Sequence, residues 1–192
     1  DQTAVQFRTA GVILLFHSLR GGNQNPGRKE GFLGEVDDVL AAAAYLRTRP
    51  DVDPQRIFLG GHSTGGTLAL LVAEVPNPFR AVFAFGPVAD VSGYEDASIL
   101  PIDQTDTREV RLRSPGYWLE GIHTPTWVIE GAARGNRDAL VWMQAHSKNP
   151  AVHFVVVPST DHFSVLAPTN RILAAALVAD RGVGDFSLTL RQ

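Results

Sequence analysis

The stretch Ile57–Glu74, IFLGGHSTGGTLALLVAE, decides how the rest of the chain is read. An apolar opening gives way to four glycines, Gly60, Gly61, Gly65 and Gly66, set around Ser63, and then to a long apolar run. Its centre, GHSTG at Gly61–Gly65, fits Gly-x-Ser-x-Gly at the point where a strand turns into a helix. The serine backbone at such a turn is strained. Residues two positions to either side must lack bulk, or their Cβ atoms would strike the adjoining strand and helix. The bend lifts the Ser63 hydroxyl out of the sheet edge toward a cleft. The helix start behind it offers unpaired N–H groups and the positive end of a dipole, both suited to a developing oxyanion. The Thr64 N–H is the expected donor.

A serine hydroxyl is a poor nucleophile until a base takes its proton. Six histidines are available. His162, in PSTDHFSVLAP, follows the last predicted strand and precedes the last helix, which puts it at the carboxyl edge of the sheet in the order Ser then His. His153 lies inside VHFVVV and reads as a packed or edge residue. His62 adjoins the serine, with its side chain expected to point away from it. His17 ends the first apolar run, where it would line the cleft. His123 and His146 read as surface or helix-end residues.

A third group should orient the imidazole and stabilise its charged form. It is expected between Ser63 and His162, after the fourth strand. TWVIEGAARGNRDAL has no carboxylate in the turn Gly131–Gly135. Glu130 ends the strand, Asp138 sits in the first turn of the next helix, and Asp90 follows the third strand. Position favours Glu130, with Asp138 and Asp90 as alternatives. Each also has a purely structural reading: an ion pair, an acid at a helix start, a turn cap. Asp161 is on the wrong side for this role and fixes the loop of His162.

Outward from the serine, short apolar segments alternate with helical ones. Strands are predicted at Gly11–Phe16, Arg56–Gly60, Arg80–Phe85, Thr126–Ile129 and Val152–Val157. Helices are predicted at Phe32–Arg49, Gly66–Ala73, Asn136–His146 and Pro168–Ala179. Residues 18–31 read as a loop, and Asp185–Leu190 as a strand or a frayed tail. The alternation demands a mostly parallel sheet with helices on both faces, a three-layer α/β domain over 1–192. Residues 88–124, irregular and rich in turn residues, are an insertion or lid; Tyr94, Tyr117 and Trp118 within it would shape a substrate pocket.

Bulk properties exclude several classes. The net charge is −3 across 192 residues, with no block of one sign, which argues against nucleic acid or an anionic membrane as partner. No apolar run is long enough to span a bilayer. No cysteine is present, so there is no disulfide framework and no thiolate site; this favours a cytoplasmic setting without fixing the compartment. No His/Asp/Glu cluster has metal-ligand spacing, and RGGNQNPG at Arg20–Gly27 lacks the pattern of a phosphate loop, so neither metal nor cofactor is expected. Arg20 is expected to be held by a carboxylate, Asp37 or Asp38. Trp118, Trp127 and Trp142 are core or cleft wall. The chain opens on Asp1 rather than Met, which fits a start inside a longer protein. Composition does not fix an oligomeric state.

RGGNQNPGRKEGFLGEVDDVLAAAAYLRTRPDVDPQRIFLGGHSTGGTLAL resembles the catalytic domain of the prolyl oligopeptidase family of α/β-hydrolases. RLRSPGYWLEGIHTPTWVIEG resembles that family's approach to its acid-bearing loop, and DHFSVL its histidine loop. The likeness covers most of residues 11–180. It implies an α/β-hydrolase fold, Ser63 as nucleophile, His162 as base, and a small-molecule ester or a peptide as substrate. Two departures stand out. Where the family has a His-Gly on the fourth strand and an Asp in the loop after it, this sequence has Glu130, with Arg134 near the Asp position. The family's upstream His-Gly-Gly-type segment, part of the oxyanion hole, has no counterpart here, so the N-terminal strands of the fold are missing. Losing one oxyanion donor costs about 3–4 kcal/mol of transition-state stabilisation. Losing the strands as well would leave a sheet edge unpaired.

Overall fold

The computed structural model describes residues 4–94, 96 and 98–190. Four strands form one sheet in the order β1 (Phe58–His62), β2 (Ala81–Phe85), β3 (Thr126–Gly131), β4 (Val152–Val157). Every neighbouring pair is parallel, with Gly61 opposite Ala84, Phe85 opposite Ile129 and Glu130 opposite Val156. Parallel neighbours need crossovers, and helices supply them. In chain order the helices are α1 (Val5–Thr9), α2 (Leu33–Thr48), α3 (Thr64–Ala73), α4 (Thr107–Arg113), α5 (Arg137–His146) and α6 (Leu166–Ala179).

The two faces of the sheet carry separate cores, as alternation along a strand requires. Val82, Ala84 and Val128 pack with Val39 and Ala43 of α2, Leu68 and Leu71 of α3, and Leu140 and Met143 of α5. Ala81, Phe83, Phe85, Trp127 and Ile129 pack on the opposite face with Leu173 and Leu177 of α6. Each residue of β2 is buried, the mark of a strand covered on both sides. The fold is therefore the expected three-layer α/β arrangement. Among the described residues no helix is long and apolar enough to cross a membrane.

One predicted strand is absent. Gly11–Phe16 is irregular, although Val12 and Leu14 are half-buried while Ile13 and Phe16 are 53% and 73% exposed. Alternation is present but a ladder partner is not. β1 pairs with β2 alone, so its outer edge meets no strand among the described residues. Backbone groups of Gly11–Phe16 consequently have no row of donors and acceptors to join. The upstream helix is a short turn at Val5–Thr9, and Asp1–Thr3 lie outside the described residues.

Other boundaries shift without changing the plan. β1 starts and ends two residues later than predicted, and α3 begins at Thr64. The tail is neither strand nor frayed: Phe186 is buried edge-on to Phe58, Phe83 and Trp127, with centroids 5.3, 6.0 and 5.5 Å away. Residues 88–124 hold α4 and three short 3-10 turns. Arg20 is gripped by Asp38, which takes its backbone N–H and both Nε and Nη2, and by Glu30 at 2.7 Å. Of the tryptophans, Trp127 is core, while Trp118 and Trp142 are partly exposed.

Candidate active site

Ser63 sits between β1 and α3 with φ 59° and ψ −118°, a conformation that non-glycine residues rarely adopt. The surroundings hold it there. Its N–H donates to the Phe85 carbonyl at 2.8 Å, and its carbonyl accepts from the Thr67 N–H at 3.0 Å. A Cβ on Gly61 would collide with the Gly65 carbonyl oxygen, so glycine is required at that position. The second requirement falls at Gly66, not Gly65. A Cβ on Gly66 would strike the Phe85 carbonyl, whereas one on Gly65 meets open space. The Thr64 N–H, at the start of α3, makes no hydrogen bond among the described residues.

Glu130 and His162 come together. The His162 Nδ1 lies 2.8 Å from Glu130 Oε2. Glu130 is 0% exposed, and each of its oxygens also accepts a backbone N–H, Oε1 from Gly131 at 2.7 Å and Oε2 from Asn136 at 3.0 Å. A carboxylate is acceptor-only, so the bond requires the Nδ1–H tautomer of His162 and leaves Nε2 bare in the neutral ring. Glycines make room for the pair. A Cβ on Gly86 would fall 2.5 Å from His162 Cε1 and 2.8 Å from Glu130 Oε2. One on Gly135 would fall 2.7 Å from His162 Cβ, and one on Gly131 2.6 Å from the Asp161 backbone. Gly86 and Gly135 also have positive φ, 55° and 77°.

Ser63 and His162 thus converge on the same end of β2: the serine backbone is bonded to Phe85, and the imidazole packs over Gly86. Neither the Ser63 hydroxyl nor His162 Nε2 makes a hydrogen bond among the described residues. Such contacts often tighten only when substrate is present. His162 is mostly enclosed, whereas the next residue, Phe163, is 72% exposed at the mouth of the site.

The alternative carboxylates lie elsewhere. The Asp138 side chain projects into solvent, 3.9 Å from Arg137. Asp90 caps the turn Val91–Gly93 through the Ser92 N–H at 2.8 Å and accepts from the Tyr117 hydroxyl at 2.9 Å. Asp161 accepts from the Phe163 and Ser164 N–H groups and the Ser164 hydroxyl, fixing the loop of His162. Those bonds hold its carboxyl below the usual range.

Sequence reasoning missed three contributors. His62 does not stand clear of the site: its Nε2 is 2.8 Å from the His162 carbonyl, and the two rings are 4.6 Å apart. Asn136 donates its side-chain N–H to the Gly86 carbonyl at 2.7 Å, locking the turn against which the His162 ring packs. Thr67 accepts from the Val88 N–H at 3.1 Å and meets the Tyr94 hydroxyl at 3.0 Å. An asparagine directly before a helix signals a cap, but nothing local signals that it reaches another strand. His17 lies apart from the site's hydrogen bonds; burial holds its imidazole below the ordinary value, against the pull of Asp38.

A parallel sheet with helices on both faces and a serine at a strained strand-to-helix bend define an α/β-hydrolase fold. Residues 1–118 match the prolyl oligopeptidase family, and the chain belongs to it. It is 32% identical over 104 residues to the polyketide transferase claH of Penicillium crustosum, an alignment covering 53% of this chain and 33% of that protein. It is 29% identical over 139 residues to the peptidase YtmA of Bacillus subtilis, covering 66% of this chain and 54% of YtmA. The chain therefore spans only part of the length of these relatives. Among solved structures, a puromycin-hydrolyzing peptidase of Mycobacterium tuberculosis shares the fold with a TM-score of 0.63 and 21% identity, over 78% of this chain and 25% of that one.

Proposed function

We propose that the chain is the catalytic part of a serine hydrolase that cleaves a carboxylic ester or amide by acyl transfer. The observation that carries this reading is the buried Glu130–His162 pair packed over the bend that also anchors Ser63. His162 Nε2 takes the Ser63 proton as Oγ attacks the substrate carbonyl. Glu130 keeps the proton on Nδ1 and stabilises the imidazolium. The Thr64 N–H receives the developing oxyanion. His162 then protonates the leaving group, and water, deprotonated by the same ring, cleaves the acyl-enzyme. Similarity to a thiohydrolase and a peptidase, beside the family match, supports the reaction class.

A fluorophosphonate probe tests the proposal. Wild type should label at Ser63, Ser63→Ala should not, and His162→Ala should label far more slowly. Equal labelling of Ser63→Ala ends it.

A second reading, a hydrolase-fold module that binds a partner or ligand without turnover, draws on one observation. The outer edge of β1, beside which a further oxyanion donor is expected, carries no strand among the described residues. Hydrolysis of p-nitrophenyl acetate at the buffer rate by protein shown folded by circular dichroism would favour that reading.

A further inference from the structure

We propose that His62 is a positioning residue for the base, holding the His162 ring and its loop in register with the nucleophile. The proposal rests on reading His162 as the base. A carbonyl can only accept, so the 2.8 Å contact to the His162 oxygen requires a proton on His62 Nε2. That hydrogen bond fixes the loop backbone. Ring packing fixes the side chain: the two imidazoles lie 4.6 Å apart at 41°, and Phe163 closes edge-on against both, 5.4 Å from His62 and 5.1 Å from His162.

The geometry explains why a second support is needed. Glu130 grips one ring nitrogen and Gly86 and Gly135 lie against the ring, but none of these contacts ties the His162 backbone to β1. The His62 bond to the His162 carbonyl and the tilted ring contact supply that tie. His62 is also the last residue of β1, paired in register with Phe85 of β2. The residue immediately before the nucleophile thus carries the brace for the base, and any movement of one is passed to the other.

The titratable groups facing His62 are the His162 ring and, behind it, the Glu130 carboxylate; Phe163 adds none, and Asp161 is committed to its own loop. Burial holds the His62 imidazole below its ordinary value. The His162 hydrogen bond and Glu130 pull the other way, while the His162 charge adds to the lowering. A neutral His62 leaves the neighbouring ring free to become the cation during the reaction, since two adjacent imidazolium groups would repel.

Three substitutions separate the two contacts: His62→Phe keeps a ring without a donor, His62→Gln keeps a donor without a ring, and His62→Ala keeps neither. The readouts are the rate and pH profile of fluorophosphonate labelling, and the nuclear magnetic resonance signals of the His162 ring, including its Glu130-bound Nδ1 proton. Misplacement by about 1 Å costs on the order of 10²-fold, so His62→Ala should label about 10²-fold more slowly. Its Nδ1 proton signal should broaden and the pH profile of its labelling should change, with His62→Phe and His62→Gln in between. A folded His62→Ala with wild-type labelling, an unmoved profile and unchanged His162 signals overturns the proposal. So does a lowered melting temperature with those signals unchanged. If His62→Ala fails to fold, wild-type behaviour of both His62→Phe and His62→Gln overturns it. Loss of Ser63-dependent labelling in wild type would sink the hydrolase reading instead, and the His162 signals would still decide whether His62 braces the ring.

Discussion

The carboxyl rim over β2, β3 and β4 and the apolar segment Gly11–Phe16 differ in how their backbone and polar groups are satisfied, and only the first is closed. At the rim every polar group of Glu130 is bonded, His162 is enclosed, and Gly86, Gly131 and Gly135 leave the space the pair occupies. Gly11–Phe16, by contrast, has an alternating apolar pattern and no ladder, and Phe16 faces solvent. The difference teaches that a strand is a property of a pair. Apolar alternation makes a segment competent to join a sheet, but its backbone bonds exist only when a neighbour supplies them.

The sharpest way to break the contrast is at Glu130. Replacing it with Gln should lower the hydrolysis rate by about 10⁴-fold, because an amide can donate toward Nδ1 and so favour the wrong imidazole tautomer. Steady-state kinetics on an activated ester, with folding checked by circular dichroism, reads this. The next largest effect is on stability. Arg80 and Asp180 form a largely buried pair at 3.0 Å that ties the start of β2 to the end of α6, below the His162 loop. Asp180→Ala should cost about 3 kcal/mol by removing the carboxylate and leaving Arg80 only the Val183 and Gly184 carbonyls, measured by denaturant unfolding.

The same pair predicts a pH dependence. Burial pushes the Asp180 carboxyl up, but the hydrogen bond and charge of Arg80 outweigh it, and the group sits below its usual 3.8. The unfolded carboxyl therefore binds its proton before the folded one does. Its contribution is complete above the unfolded value and is lost as acidity takes the pH down through the folded value. Wild type should lose stability across that acid range, and Asp180→Asn should show a flatter slope there.

Gly86→Ala comes next. Its methyl group would press on the His162 ring and sit at positive φ, and displacement of about 1 Å should slow turnover on the order of 10²-fold. The smallest effect belongs to the open side. Phe16→Ser should change unfolding free energy by no more than about 0.5 kcal/mol, since the residue is already 73% exposed. A large loss there would mean that Gly11–Phe16 belongs to the core after all.

Most of the fold was legible because periodicity reports burial. β2, β3, β4, α2, α3, α5 and α6 appear where apolar spacing puts them, within a few residues. Gly11–Phe16 failed because its missing partner is not written in its own residues. At the site, the serine bend could be read from GHSTG, and Glu130, favoured for its place at the end of the fourth strand, is the carboxylate that meets His162. The role of Gly66 rather than Gly65, and the reach of Asn136 and His62 across strands, could not be read. Those contacts depend on how close two elements approach, and spacing along one element carries no such information.

The Ser63 backbone angles have an evolutionary corollary. A side chain held at φ 59° and ψ −118° stores on the order of 1–3 kcal/mol, which glycine would release. Selection for heat tolerance alone would thus reward Ser63→Gly and discard the proposed nucleophile; retention of serine here across thermophilic and mesophilic descendants would record pressure on chemistry stronger than pressure on endurance.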